Sequence, residues 1–287
     1  MTTIAYQTCN LVGLRFWFVS VLPLLLMFSA LAHAQFTTTT NKGQITITKY
    51  TGSGGNVEIP SMIDGLPVTS IGADNFQTNV FDNCTSLTGV TIPNSVTNIG
   101  WDIFNDCKNL NSITASKQNS AYSSVNGVLF NHDQTTLIRY PRGKAGSYTI
   151  PDSVTTIDDC AFFKCTRLTS VKIPDHVKII GPYAFNRCTG LTSVTIPNRV
   201  TSIDLYAFYG CKGLTTITFP KSITFIGLQA FAACTRLKSV VFEGNAPRID
   251  MDIFMNVGRD FTVYYSKGAT GFTSPTWTDA SDGVYAK

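Results

Sequence analysis

Eight cysteines are the first candidates for chemistry in this 287-residue chain, and six of them keep a fixed spacing. Cys84 and Cys107 are 23 residues apart, as are Cys165 and Cys188, Cys188 and Cys211, and Cys211 and Cys234. Between Cys107 and Cys165 the gap is longer by 35 residues. An even number of cysteines in a secreted chain ordinarily suggests disulfides. A column of cysteines one coil apart points in one direction, however, which suits the disulfide dihedral poorly even at a Cα separation of ~5 Å. The six are therefore expected to be buried free thiols that act as small apolar side chains. Cys160 stands outside the column, at the phase of Tyr183 and Tyr206, and is expected to approach solvent. No C-x-x-C or paired histidine accompanies them, so no metal site is expected.

Other catalytic groups are sparse. Beyond residue 34 the histidines are His132 and His176, each in or near a turn, with no nucleophile motif beside them. No G-x-S-x-G, H-E-x-x-H or Walker loop occurs. The two glutamates, Glu58 and Glu243, lie at opposite ends of the chain. A carboxylate pair for glycoside hydrolysis would have to come from Asp158, Asp159 or Asp204. These three fall where solvated turn residues are expected. Catalytic residues and cofactors are expected to be none.

The cysteine spacing belongs to a longer self-similarity. Three residues after each cysteine comes leucine: Leu87, Leu110, Leu168, Leu191, Leu214 and Leu237. Six after comes Val90, Ile113, Val171, Val194, Ile217 or Val240. Ile92, Ile173, Ile196, Phe219 or Phe242 follows, and in four coils Pro93, Pro174, Pro197 or Pro220 comes next. The period-2 apolar run predicts a short strand with one buried face, ended by proline because proline cannot donate to a sheet ladder. The Ala-Phe-x-x-Cys segment is expected to make one helical turn with Phe and Cys inward. One unit cannot bury its own apolar face. Stacked units bury Leu, Val, Ile, Phe and Cys as continuous columns.

The motif Leu-x-x-Val-x-Ile-Pro-x-x-Val-x-x-Ile-Gly-x-x-Ala-Phe-x-x-Cys resembles the BspA-like leucine-rich repeat family. Leu191 to Cys211 fits nearly throughout, with Asp204 at the glycine position. The resemblance covers roughly residues 44–265. It implies a leucine-rich-repeat solenoid, α/β by class convention but mostly β, with short parallel strands in 23-residue coils. It also implies the adhesion to host, matrix or cell-surface partners associated with the family. The motif specifies the scaffold and leaves the ligand open.

The remaining segments are assigned around this array. Residues 1–34 are expected to be a signal peptide: Arg15 precedes an apolar stretch from Phe16 to Leu31, and Ala32-His33-Ala34 ends it. That stretch is shorter than the roughly 20 residues of a membrane span. No transmembrane segment is expected after cleavage, which places the chain outside the cell, in the periplasm or on a cell surface. Residues 35–72 read as an N-terminal cap, 73–257 as the repeats, and 258–287 as a C-terminal cap with a polar, loose tail from Ser266. Residues 116–150 read as an insertion carrying a hairpin from Gly127 to Tyr140, either an excursion off the solenoid or a protruding recognition element.

Two side chains per strand are expected to face solvent. They are Gly89 and Thr91, Ser112 and Thr114, Ser170 and Lys172, Ser193 and Thr195, Thr216 and Thr218, and Ser239 and Val241. These columns are the expected ligand-binding face, small and hydroxyl-lined. Beside the cysteine turns lie Lys108, Lys164, Arg167, Arg187, Lys212 and Arg236, a possible rim for acidic polysaccharide. The net charge of +4 without a basic run argues against nucleic acid. The resemblance favours a protein- or polysaccharide-binding module over a structural spacer. An ice- or crystal-binding face and a hydrolase remain weaker readings.

Overall fold

The computed structural model describes residues 35–72, 80–101 and 103–272, and the backbone of 285–286. The expected signal peptide, the extra residues after Gly72 and most of the tail beyond Phe272 lie outside the described residues.

The chain winds as a β-solenoid of about nine turns, and no helix occurs among the described residues. Each regular coil begins with a strand such as Leu168–Lys172 or Thr216–Phe219. A tight turn follows, closed by the amide of the next valine or isoleucine donating to the proline carbonyl (Val177 N to Pro174 O, 3.1 Å; Ile223 N to Pro220 O, 3.2 Å). A two-residue strand comes next, such as Ile179–Ile180, and pairs in parallel with Thr156–Ile157 before it and Ser202–Ile203 after it.

The Ala-Phe-x-x-Cys segment is not the expected helical turn. It has two left-handed corners, Tyr183 (φ 55°) and Arg187 (φ 58°) in one coil, and Tyr206 (φ 53°) and Gly210 (φ 67°) in the next. Left-handed corners break the i→i−4 pattern of a helix. The amides instead reach the following coil: Phe185 N donates to Ala207 O at 2.7 Å and Arg187 N to Tyr209 O at 2.7 Å. Phe and Cys still point inward, as expected. The phenylalanines stack face to face, with centroids 4.6 Å apart for Phe162–Phe185, 4.9 Å for Phe185–Phe208 and 5.1 Å for Phe208–Phe231.

The cysteines do more than fill space. In the regular coils the thiol donates to a carbonyl of the coil before it: Cys188 to Phe162 O (2.9 Å), Cys211 to Phe185 O (3.1 Å) and Cys234 to Phe208 O (3.2 Å). None of the seven described cysteines is in a disulfide. Burial pushes the Cys188 and Cys211 thiols well up and Cys234 to about 12, which keeps them protonated as donors. Cys160 departs from expectation: it is fully buried, and the half-buried thiol is Cys84. Tyr183 and Tyr206 reach outward from that left-handed corner. A short thiol there stays beneath them, close enough to Tyr183 to push its hydroxyl pKa up, after burial, as does Tyr206.

The insertion is neither an excursion nor a protrusion. Tyr122–Val125, Val128–Asn131 and Thr136–Arg139 form an antiparallel meander whose last strand continues in parallel into Thr156–Ile157. Asn126 (φ 52°) and Gly127 (φ 75°) make the first hairpin turn, in which both central residues need positive φ. The middle strand is buried on both faces. Leu129 packs into the core that runs from Ile45 to Ile113, while Val128 and Phe130 pack into the core that runs from Leu137 to Val263. The meander is a wall shared by two cores. Beyond it Gly146–Thr149 pairs with Leu168–Lys172 as an ordinary coil, and the residue 23 before Cys165 is Arg142.

The tail also differs from expectation. Ser266 N donates to Phe242 O, and Phe272 stacks on Tyr265 at 4.5 Å. Tyr285–Ala286 then returns to pair with Thr262–Tyr265.

Candidate functional site

The strand face places the expected columns in register, but in three separate ladders. Asn56, Gly89 and Ser112 align, as do Glu58, Thr91 and Thr114. Ser147, Ser170 and Ser193 align beside Thr149, Lys172 and Thr195. Thr216, Ser239 and Thr262 align beside Thr218, Val241 and Tyr264. Lys172, Ser193, Thr195, Thr216 and Thr218 are exposed, and Ser170 and Ser239 are half-buried. The first ladder is less available than expected. Gly89 is buried, and a Cβ there would meet Asn56 Oδ1 at 2.3 Å. Thr114 turns its hydroxyl onto Thr91 Oγ1 at 3.2 Å, and Ser112 lies under the backbone of Gly127.

The turn-side surface, at the Ala-Phe-x-x-Cys corners, gathers the larger side chains. Trp101 lies 6.3 Å from Phe163 and 6.2 Å from Tyr183, ring centre to ring centre. Tyr183 stacks on Tyr206 at 5.1 Å, and Tyr206 meets Tyr209 edge-on at 5.6 Å. All five rings are half-buried. Beside them runs a groove of about 470 Å³ lined by Lys108, Arg142, Lys164, Arg187, Lys212, Asp106 and Tyr209, with Thr166 and Thr189 between the cations.

Its floor is built rigidly. Arg142 is 5% exposed; its Nε donates to Phe163 O at 2.9 Å and its Nη1 to Asn105 Oδ1 at 3.3 Å, with the guanidinium 5.1 Å from the Phe163 ring centre. Lys164 Nζ donates to Asn105 Oδ1 at 3.1 Å and pairs with the Asp106 carboxylate at 3.3 Å. Arginine suits this position because a planar fork can serve a carbonyl and an amide oxygen at once while stacking on a ring. Lys108, Arg187 and Lys212 are exposed above the floor. Of the basic rim expected from the sequence, Lys108, Lys164, Arg187 and Lys212 meet here. Arg167 lines a different cleft, with Lys144 and Tyr148, where the strand ladders break at the insertion. Arg236 is exposed and lines neither.

Asp159 is exposed, and Asp158 and Asp204 are half-buried. Burial raises the Asp158 pKa despite the nearby Arg139, and burial together with Asp158 and Asp204 raises that of Asp159. Arg139 is itself engaged through Nη1 with the Cys160 carbonyl. Between the ordinary aspartate value of 3.8 and the raised values, the folded chain holds protons that the unfolded chain has released. Stability therefore falls as pH rises through that window. Asp158→Asn is expected to flatten the dependence of Tm on pH and to raise Tm at neutral pH. Parallel Tm–pH curves for variant and wild type would show that Asp158 does not set the slope. Of the two histidines, both exposed, His132 places Nδ1 3.0 Å from the Asn119 carbonyl. Among the described residues no cluster of three or more His, Cys, Asp or Glu forms a metal-holding group, and no helix is long and apolar enough to cross a membrane.

Sequence reasoning missed Arg142, because it occupies a phase that reads as cysteine elsewhere. It missed the aromatic row because Trp101, Tyr183 and Phe163 belong to different phases of the repeat. It also missed Asn119, buried with Nδ2 on Pro93 O (2.7 Å) and Val96 O (2.8 Å) and with Oδ1 accepting from Ala121 N and Tyr122 N.

Comparison with known proteins fits this architecture. The fold is similar to that of the pneumococcal vaccine antigen PcpA (22% identity over 74% of this chain, TM-score 0.57), of whose chain it spans 63%. It is also similar to a leucine rich cell surface protein from Faecalibacterium prausnitzii (23% identity, 81% of this chain and 93% of that chain, TM-score 0.57). No curated protein matches the chain. The model of the BspA type leucine rich repeat region matches residues 74–143 and 139–258 in six copies. The chain is therefore a member of the BspA-type leucine-rich-repeat family.

Proposed function

We propose that the chain is an extracellular or cell-surface binding module that takes its partner on the turn-side surface. The observation that carries this reading is the concentration of Trp101, Tyr183, Tyr206 and Tyr209 beside Arg142, Arg187 and the groove lysines. Aromatic residues and arginine supply most of the energy at protein interfaces. The strand face offers mainly Ser and Thr, which suit exposed strand positions without any ligand. The family, the apolar N-terminal stretch and the likeness to a cell-surface protein support an extracellular setting.

A second reading keeps the partner on the strand face. It is favoured by the in-register columns from Ser147 to Ser193 and from Thr216 to Thr262, which would give a broad, weak, multivalent surface. Protein-matrix and glycan arrays separate the two. Tyr209→Ala with Trp101→Ala is expected to weaken capture at least tenfold, about 1.4 kcal/mol. Thr195→Arg with Thr218→Arg is expected to leave it unchanged. The reverse pattern supports the strand face, and no capture at high protein density supports a structural spacer.

A further inference from the structure

The groove cations come from successive coils, though not from one phase of the repeat. Lys108, Arg142, Lys164, Arg187 and Lys212 come from five consecutive coils, one cation from each. Adjacent coils stack at ~4.8 Å, so the row runs ~19 Å along the solenoid axis. One acid, Asp106, lies in the groove, and Lys164 already pairs with it. The row therefore carries a clear positive excess while the whole chain is only at +4. In the two coils after Arg187 its corner is held by Gly210 and Ala233, which leave the groove open past Arg187. Thr166, Thr189 and the Tyr209 ring line the spaces between the charges.

We infer that this groove binds a linear acidic polysaccharide, lying along the solenoid axis with its carboxylates or sulfates on the cation row. Each feature has a counterpart in such a ligand. A polymer with repeated anions meets a protein that offers one cation from each of five coils. Hydroxyl side chains between the charges can exchange hydrogen bonds with sugar hydroxyls. Arg142 and Lys164 are fixed by their bonds to Asn105, Phe163 and Asp106, so they lose little freedom on binding. Lys108, Arg187 and Lys212 supply the exposed contacts. A single-stranded nucleic acid fits less well: it needs a series of aromatic faces for its bases, and here Tyr209 is the one ring lining the groove.

The inference rests on the turn-side reading and names its ligand class. The test uses residues 35–287, the chain without the expected signal peptide. Retention is measured on polygalacturonate, dextran sulfate and neutral dextran at low and at near-physiological ionic strength. Binding to at least one polyanion and not to dextran is expected. The preferred polyanion tells whether carboxylate or sulfate is the natural group. Arg187→Glu with Lys212→Glu, both at exposed positions, is expected to weaken binding at least tenfold. Lys172→Glu with Arg199→Glu, an equal charge change at exposed positions that do not line the groove, is expected to weaken it less than threefold. Circular dichroism confirms the fold of each variant. The inference is overturned if the two double variants lose binding equally, if dextran is retained as well, or if an oligonucleotide binds more tightly than either polyanion. Absence of polyanion binding while an array partner is lost with Trp101→Ala and Tyr209→Ala would overturn it and leave the turn-side binding surface standing.

Discussion

Phe208→Ala is expected to lower stability by roughly 3–5 kcal/mol, the range for removing a buried aromatic ring from a packed core. Phe208 is fully buried between Phe185 and Phe231, both within 6° of parallel to it. Its amide donates to Ala230 O in the next coil, and its carbonyl accepts the Cys234 thiol. The substitution leaves those backbone groups in place and empties the ring's volume, so it isolates the packing contribution. In a solenoid each coil contacts only its neighbours, so the loss also weakens the two interfaces that flank it. Phe208→Leu should recover a large part of the stability. Urea unfolding measures both variants, and a loss below about 1 kcal/mol for the alanine would show that the aromatic column is not the main packing element.

Leu129→Ala is expected to cost about 2–5 kcal/mol and to separate the unfolding of the two cores. Leu129 is fully buried and belongs to the core of residues 45–113, whereas Val128 and Phe130 on either side belong to the core beyond it. The two share this strand, the Arg142 and Lys164 contacts to Asn105 and Asp106, and Trp101 against Phe163 and Tyr183. With the leucine truncated, amides between Ile45 and Ile113 should exchange faster while those between Leu168 and Phe242 stay protected. A single transition shifted as a whole would mean that the polar contacts suffice to couple the halves.

The repeat was legible because identical phases do identical work. Leucine, valine, isoleucine, phenylalanine and cysteine recur at 23-residue steps, and each forms one buried column. The limits arise where one residue replaces another by different chemistry. Arg142 sits at a cysteine phase but reaches forward to the Phe163 carbonyl of the next coil, whereas the thiols at that phase reach back to the phenylalanine carbonyl of the coil before. Cys160 reads as exposed because its equivalents are tyrosines, yet a shorter side chain at the same corner stays buried. Asn126-Gly127 is a hairpin signal that adds the strand Tyr122–Val125 ahead of the Gly127–Tyr140 hairpin. The strand-face columns followed from alternation alone. The turn-side groove could not, because its members lie at several phases and meet only after the lengthened coil between Cys107 and Arg142 has closed.

The regular coils share one more property. From Cys165 to Cys234 the turn-side backbone bonds between coils recur at the same step (Phe162 N to Ala184 O, Phe185 N to Ala207 O, Phe208 N to Ala230 O), while the strand-side ladder is interrupted between Ser193–Thr195 and Thr216–Phe219. Removing 23 consecutive residues inside this stretch joins two edges that already match in turn-side hydrogen bonding and in side-chain column. The length of the molecule is thus a modular quantity: unequal recombination can shorten or extend it by whole coils without a new folding problem. The wall strand around Leu129 has no such freedom, since its two faces are fitted to two different neighbours.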